Sequence, residues 1–256
     1  MTQTMQKGGD HFIYAGMRLA QEASMFFKCS ACRSSQFFRK SFPLCLECAQ
    51  SLVKAPPLCS QCGNAFCGSI CDRPWIRHAW IESFHAQYLL IEPGYTVLKS
   101  WKKTGGLSLD QQIIPSVFTD IWELGVDYII PIPQEPERSW RLGGSPAERI
   151  AARVAPAARA RLLLALEKVS RNQKRQGELL AHERLRSILK YRVLPQSQKR
   201  LEGSVCLLVD DFMTTGHTLR NAAAALKRSG VSRIHAFALG VRPLKIGEKT
   251  QLLKGA

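Results

Sequence analysis

Hydrophobic residues along this chain fall into uninterrupted runs, alternating runs and helical repeats, and each pattern predicts a different element. The run Val205–Val209 has no polar break, which suits a strand of a sheet covered on both faces. From Leu219 to Arg228 the apolar positions return with a 3.6-residue period in an alanine-rich segment, predicting a helix. Asp127–Pro133 reads as the first core strand, Leu162–Val169 as another, and Ser232–Gly240 as one more after the helix. Phe84, Ala86, Tyr88 and Leu90 alternate, as a half-buried strand leading into the main sheet requires. Helical spacing at Phe12, Ala15, Leu19, Ala23 and Phe26 predicts a short amphipathic helix over residues 11–27, and a second helix is expected over Leu107–Leu124. The first ten residues and the tail 244–256 carry no such pattern and read as loose polar ends.

Composition narrows the class. With 256 residues, 45% of them hydrophobic, the chain can bury a full core and have length left for a second small module. No run of about 18 apolar residues occurs, and the polar N-terminus lacks the order of a signal peptide, so a cytoplasmic protein without membrane insertion is expected. The formal charge is +16. Between Pro133 and Glu202 there are 16 basic against 7 acidic residues, so +9 of that surplus sits in about a quarter of the chain. Such a density suits polyanionic partners, either nucleic acid or phosphate-rich small molecules.

The polar residues after the Val205–Val209 run bring chemistry. Asp210 and Asp211 follow it, then Phe212, Met213 and the loop Thr214, Thr215, Gly216, His217 and Thr218. Backbone N–H groups opening a helix are unpaired and partly positive, so this loop can cradle a phosphate. Gly216 permits close approach and the threonines add donors. Carboxylates repel phosphate but accept hydrogen bonds from sugar hydroxyls, or hold magnesium through water. The implied ligand has a phosphate at one end and a ribose beside it. The stretch Leu-Leu-Val-Asp-Asp-Phe-Met-Thr-Thr-Gly-His-Thr resembles the motif with which type I phosphoribosyltransferases bind phosphoribosyl pyrophosphate (PRPP).

Eight of the nine cysteines lie between Cys29 and Cys71, as Cys29-x2-Cys32, Cys45-x2-Cys48, Cys59-x2-Cys62 and Cys67-x3-Cys71. Two such knuckles complete a closed four-thiolate zinc site, and a chain without an export signal has little use for a disulfide framework. Cys29, Cys32, Cys45 and Cys48 make the simplest first site, with Cys59, Cys62, Cys67 and Cys71 as a second. Alternatively, one ion joins the halves as in a zinc ribbon. Phe37, Phe38, Arg39 and Lys40 between the knuckles resemble a nucleic-acid finger loop.

A cysteine-rich zinc module ahead of a phosphoribosyltransferase-type domain resembles the ComF family of competence-associated proteins, which includes the GntX-type proteins. The resemblance implies an α/β fold, a type I phosphoribosyltransferase-like parallel sheet flanked by helices. Its divisions are an extension at 1–28, the zinc module at 29–74, the transferase-like domain at 75–243 and a tail at 244–256. It implies structural zinc, magnesium bound with PRPP, Asp210 and Asp211 for ribose and magnesium, and Thr214–Thr218 for the 5′-phosphate. Arg138 and Arg141 fit the pyrophosphate loop, although Leu142, Gly143, Gly144 and Ser145 depart from the pattern. Arg171, Lys174, Arg175 and Gln176 fit the flexible loop, followed by Leu179, Glu183 and Arg184, with Ser187 in place of the family's asparagine. Lys102 or Lys103, before the turn at Gly105 and Gly106, is a candidate for pyrophosphate or another polyanion. His217 replaces a small residue and is expected to point outward. Implied partners are PRPP or a related ligand, single-stranded DNA, and the helicase and translocation proteins of DNA uptake. The competing expectation is a salvage enzyme transferring phosphoribose to an acceptor.

Overall fold

The computed structural model describes residues 26–37, 43–67, 70–71, 80–114, 121, 123–134, 144–169 and 191–243. In chain order the first elements are β1 (Phe26–Lys28), β2 (Ser35–Phe37), α1 (Leu46–Gln50), β3 (Ser83–Leu89), α2 (Gly94–Thr104) and α3 (Leu107–Ile113). They continue with β4 (Tyr128–Pro131), α4 (Pro146–Ala157), β5 (Arg161–Leu162), β6 (Leu166–Lys168) and β7 (Tyr191–Val193). The last are α5 (Pro195–Leu201), β8 (Val205–Met213), α6 (His217–Arg228) and β9 (Arg233–Val241).

The uninterrupted apolar runs become the centre of a five-stranded sheet in the order β3-β9-β8-β4-β5, with every neighbouring pair parallel. Alternate residues of β8 enter opposite layers, as a strand's two-residue period requires. Cys206 and Leu208 meet Leu219, Ala222 and Leu226 of α6 on one side. Leu207 and Val209 share the other layer with Ile150 and Val154 of α4 and Trp101 of α2. Helices on both faces of a parallel sheet make this an α/β fold, as the sequence implied. A capping box fixes the start of α4: the Ser145 hydroxyl accepts from Glu148 N, and Ser145 N donates to the Glu148 carboxylate.

Several elements differ from their sequence reading. Leu162–Val169 is two strands, because Ala165 N donates to Leu163 O in a tight turn and redirects the chain. Of these, β5 stays in the main sheet, while β6 pairs antiparallel with β7. Asp127–Pro133 supplies β4 but is not the first sheet strand, since β3 precedes it and pairs with β9. The amphipathic helix over 11–27 lies outside the described residues except at its end, where Phe26 belongs to β1. The second helix runs only from Leu107 to Ile113 before residues 115–120, which lie outside the described set.

Beneath α2 is a buried polar knot. Trp101 Nε1 donates to Asp110 Oδ1 at 2.6 Å, and Arg149 Nη1 lies 3.5 Å from the same oxygen. The guanidinium also stands 4.9 Å from the Trp101 ring centroid. Arg149 is thus the countercharge for Asp110, although burial pushes its own pKa down. Removing one partner of a buried pair strands the other charge. Asp110→Ala is expected to destabilise the fold by about 3–5 kcal/mol in denaturant titration, whereas a surface pair such as Glu167–Arg192 should cost under about 1 kcal/mol.

Candidate functional site

In an open parallel sheet, ligands bind beyond the carboxyl ends of the strands where neighbouring connections depart in opposite directions. Here β4 leads through α4 to β5 on one side, while β8 leads through α6 to β9 on the other. The crevice between the ends of β4 and β8 is therefore the switch point. It holds a cavity of about 350 Å³ lined by Gln134 from β4's exit, Asp210 and Asp211 from β8, and Lys102, Tyr191 and Thr218 from the surroundings.

Asp210 and Asp211 lie inside β8 rather than after it, and they are only 8% and 4% exposed. Their depth follows from the strand continuing to Met213, paired with β9 up to Val241. Asp210 Oδ1 accepts from Asp211 N at 2.8 Å. Asp211 Oδ1 accepts from Phe212 N at 2.6 Å, while its Oδ2 accepts from Gln134 Nε2 at 3.1 Å and faces Lys102 Nζ at 2.6 Å. Burial, and then the Asp211 charge, push the Asp210 carboxyl up to about 7. Burial and then the Asp210 charge likewise raise the Tyr191 phenol. These hard oxygens, with a cation already seated on Asp211, form a donor set that fits a hydrated divalent ion or ribose hydroxyls.

Strand β8 ends at Met213, and Thr214–Gly216 turn the chain directly into α6. Gly216 caps that helix with φ of 66°, a left-handed conformation cheap only for glycine. Thr214 and Thr215 are exposed, Gly216 is buried, and Thr218 reaches the crevice wall. His217 is exposed, with its ring nitrogen Nδ1 2.8 Å from Arg220 Nη2, while its carbonyl accepts from Asn221 Nδ2. Arg138, Arg141, Arg171, Lys174, Arg175 and Gln176, with Leu179, Glu183 and Arg184, lie outside the described residues.

Sequence reasoning had no means of finding Gln134 and Tyr191, which no motif marks, or the pairing of Lys102 with Asp211. Lysine 102 is brought to the acid pair by α2, and its neighbour Trp101 is pinned by Asp110. Lys103 lies in a second cavity that shares Lys102, Gln134 and Phe212.

The cysteines sort into two clusters, Cys29–Cys32–Cys45–Cys48 and Cys59–Cys62–Cys67–Cys71, with all sulfurs of each within 4.8 Å of one another. That matches the simplest pairing and not a single ion joining the halves. Four sulfurs about 2.3 Å from a zinc ion stand about 3.8 Å apart. Cys32 Sγ to Cys45 Sγ is 3.7 Å and Cys62 Sγ to Cys67 Sγ is 3.9 Å. Either cluster can hold a metal ion, and both donor sets fit structural zinc. The first knuckle of each is built alike. Cys29 O accepts from Arg33 N and Cys29 N donates to Ser34 O; Cys59 O accepts from Gly63 N and Cys59 N donates to Asn64 O. The residue after the second cysteine is left-handed in both, with φ of 64° at Arg33 and 68° at Gly63. Arg33 is exposed and has room for its side chain, but a methyl group on Gly63 would come within 3.1 Å of Phe84 Cδ1 and 3.3 Å of Met213 Cε.

The two clusters flank β3. Leu44, Cys45 and Cys29 belong to the layer of α2, and Ala65 with Phe66 and Leu58 to the layer of α6. The chain between them runs antiparallel along the strand's outer edge: Ala55 N donates to Gln87 O and Leu89 N to Val53 O.

A family model described as the phosphoribosyl transferase domain matches residues 143–251. The chain is similar to Competence protein F of Haemophilus influenzae (strain ATCC 51907 / DSM 11121 / KW20 / Rd), with 24% identity over 228 residues covering 83% of this chain and 96% of that protein. Among solved structures it is similar to the allosteric regulatory enzyme of purine biosynthesis, at 19% identity and a TM-score of 0.32. It is also similar to the glutamine PRPP amidotransferase of B. subtilis complexed with ADP and GMP, at 18% identity and a TM-score of 0.32. Each match covers 46% of this chain and 25% of the other, so the chain spans about a quarter of the length of those two.

Proposed function

We propose, from the premise that this chain is a ComF-like protein with a phosphoribosyltransferase-type domain, that it acts in uptake or processing of single-stranded DNA during natural transformation, using a PRPP-binding crevice. The observation that carries the ligand is the buried Asp210–Asp211 pair at the strand switch point, in the strand that leads through the Thr214–Gly216 turn into α6. In this reading the carboxylates take the ribose hydroxyls and a magnesium ion, and the backbone of Thr214–Thr218 takes the 5′-phosphate. Lys102, paired with Asp211, holds the position of positive charge that a bound magnesium ion would share. Arg138 and Arg141 would face the pyrophosphate, and Arg171, Lys174, Arg175 and Gln176 would close over the ligand. Zinc in the two cysteine clusters would serve structure.

The DNA role is supported by the relative's name and by the net charge of +16. It places the work in the cytoplasm, alongside DNA-uptake helicase and translocation proteins; no helix among the described residues is long and apolar enough to cross a membrane. The second reading, transfer of phosphoribose to an acceptor, is favoured by one feature, the cationic Lys102 and Lys168 beside the crevice, since cations stabilise a departing pyrophosphate. Purified protein with PRPP and magnesium separates the two. The first reading expects PRPP binding by calorimetry without pyrophosphate release, and single-strand affinity that falls steeply with salt. Pyrophosphate release on adding an acceptor establishes the second, and a salt-independent DNA signal argues against the first.

A further inference from the structure

A second cavity, of about 450 Å³, adjoins the ribose-phosphate crevice and shares Lys102, Gln134 and Phe212 with it. Its remaining walls include Tyr95, Lys99 and Lys103 of α2 and Pro146 at the start of α4. Tyr95, Lys99 and Lys102 are spaced four and three residues apart, so α2 presents them as one stripe. The Tyr95 and Phe212 rings meet edge to face, with centroids 6.1 Å apart. Each ring carries cations. Lys99 Nζ lies 4.5 Å and Arg242 5.5 Å from the Tyr95 centroid, and Lys102 Nζ lies 5.1 Å from that of Phe212. Only part of this charge is neutralised locally: Lys99 pairs with Glu92 at 3.3 Å and Lys102 with Asp211, while Lys103 has no ion pair among the described residues.

Aromatic faces take any flat base, and the cations around them take the phosphates attached to it. The Glu92–Lys99 pair is exposed and therefore easily exchanged for a phosphate. We infer that this cleft is a nucleotide subsite, in which a base packs on Tyr95 and its phosphate is held by Lys99 and Lys103. This placement rests on the ribose-phosphate reading of the neighbouring crevice and deepens it, because it sets a nucleotide beside that ligand. The same chemistry is offered by a free mononucleotide and by one unit of a single strand. Lys103, in the wall of the cleft, is itself exposed, so its charge is accessible to a strand as well as to a monomer.

The test uses the full chain with three probes titrated separately: thymidine 5′-monophosphate, a labelled single-stranded oligodeoxythymidylate, and PRPP with magnesium. Lys99→Gln with Lys103→Gln should weaken the oligonucleotide roughly tenfold at low salt and flatten its log-affinity against log-salt slope by about 1.4, as two lost phosphate contacts on a single strand require. Tyr95→Leu should cost at least about fivefold, with Tyr95→Phe restoring it. Lys227→Gln with Arg228→Gln, exposed at the C-terminal end of α6 and outside the basic stretch 133–202, should leave affinity within about twofold and the slope nearly unchanged. Oligonucleotide binding without monophosphate binding assigns the subsite to a strand; both binding equally assigns it to the mononucleotide. Unchanged affinity and slope in the Lys99/Lys103 variant overturn the subsite, whatever PRPP does. Absence of PRPP binding in the wild-type chain, with the lysine and tyrosine effects intact, overturns only the reading of the neighbouring crevice.

Discussion

Asp210→Asn combined with Asp211→Asn should reduce PRPP affinity at least about a hundredfold in calorimetry while leaving the circular dichroism spectrum unchanged. Hydrogen bonds to a charged group contribute about 1.5–3 kcal/mol each, and the two buried carboxylates are the only anionic acceptors among the described lining residues. The fold should survive, because these side chains bond to backbone N–H groups and to a partly exposed lysine that can turn to water. A pH series gives the sign an independent check. The Asp210 carboxyl is raised from 3.8 to about 7, chiefly by burial. The stability this group contributes is complete below pH 3.8 and is lost as pH climbs toward about 7. Asp210→Asn carries no such penalty, so it should melt higher than wild type at pH 8 and converge with it near pH 4. Ligand affinity should move the other way, rising with pH through about 7 as the carboxylate forms. Unaltered PRPP affinity in the double variant would remove the site assignment.

Metal removal should have the larger effect on stability. Purified chain is expected to contain two zinc ions, one per cysteine cluster. Structural zinc carries about 10–16 kcal/mol of apparent binding free energy in small knuckle peptides, more than a single buried side chain contributes. A strong chelator should therefore lower the melting temperature further than Asp110→Ala does. The two clusters should also differ in what they disturb. Gly63, in the second, backs onto Phe84 and onto Met213, the residue immediately before the Thr214–Gly216 turn. Cys62→Ser should thus cost both stability and PRPP affinity. Cys32→Ser, in the exposed part of the first cluster, should cost stability with little change in PRPP affinity. Recovery of a reduced, metal-free and fully folded chain would refute the zinc assignment.

The parts of this protein legible in its sequence are those set by local pattern. An unbroken apolar run produced β8, an alanine-rich helical repeat produced α6, and cysteine spacing produced both clusters. What spacing could not encode was distance in space. Lys102 and Asp211 are 109 positions apart and meet only because α2 packs on the face that β8 shares with α4. Tyr191 reaches the crevice from β7, a three-residue strand too short to leave a periodic signal. The break between β5 and β6 was equally hidden, since Leu163, Leu164 and Ala165 are as apolar as the strands around them. The depth of the acid pair was missed for a related reason: two aspartates look like the end of a strand, whereas pairing with β9 carries β8 two residues past Asp211.

The segment paired along β3 covers an edge of the sheet. A parallel sheet has two outer strands, and each presents a row of unsatisfied N–H and C=O groups to any passing chain. On one side the outer strand is β5, too short at two residues to recruit another. On the other, β3 is seven residues long, and its open side is met by Val53, Lys54 and Ala55, held between the two cysteine clusters. The knuckles thereby anchor a guard against strand-to-strand association. Loss of metal would do more than loosen the fold: it would uncover a sticky edge, and the stripped protein should self-associate through β3 before it unfolds.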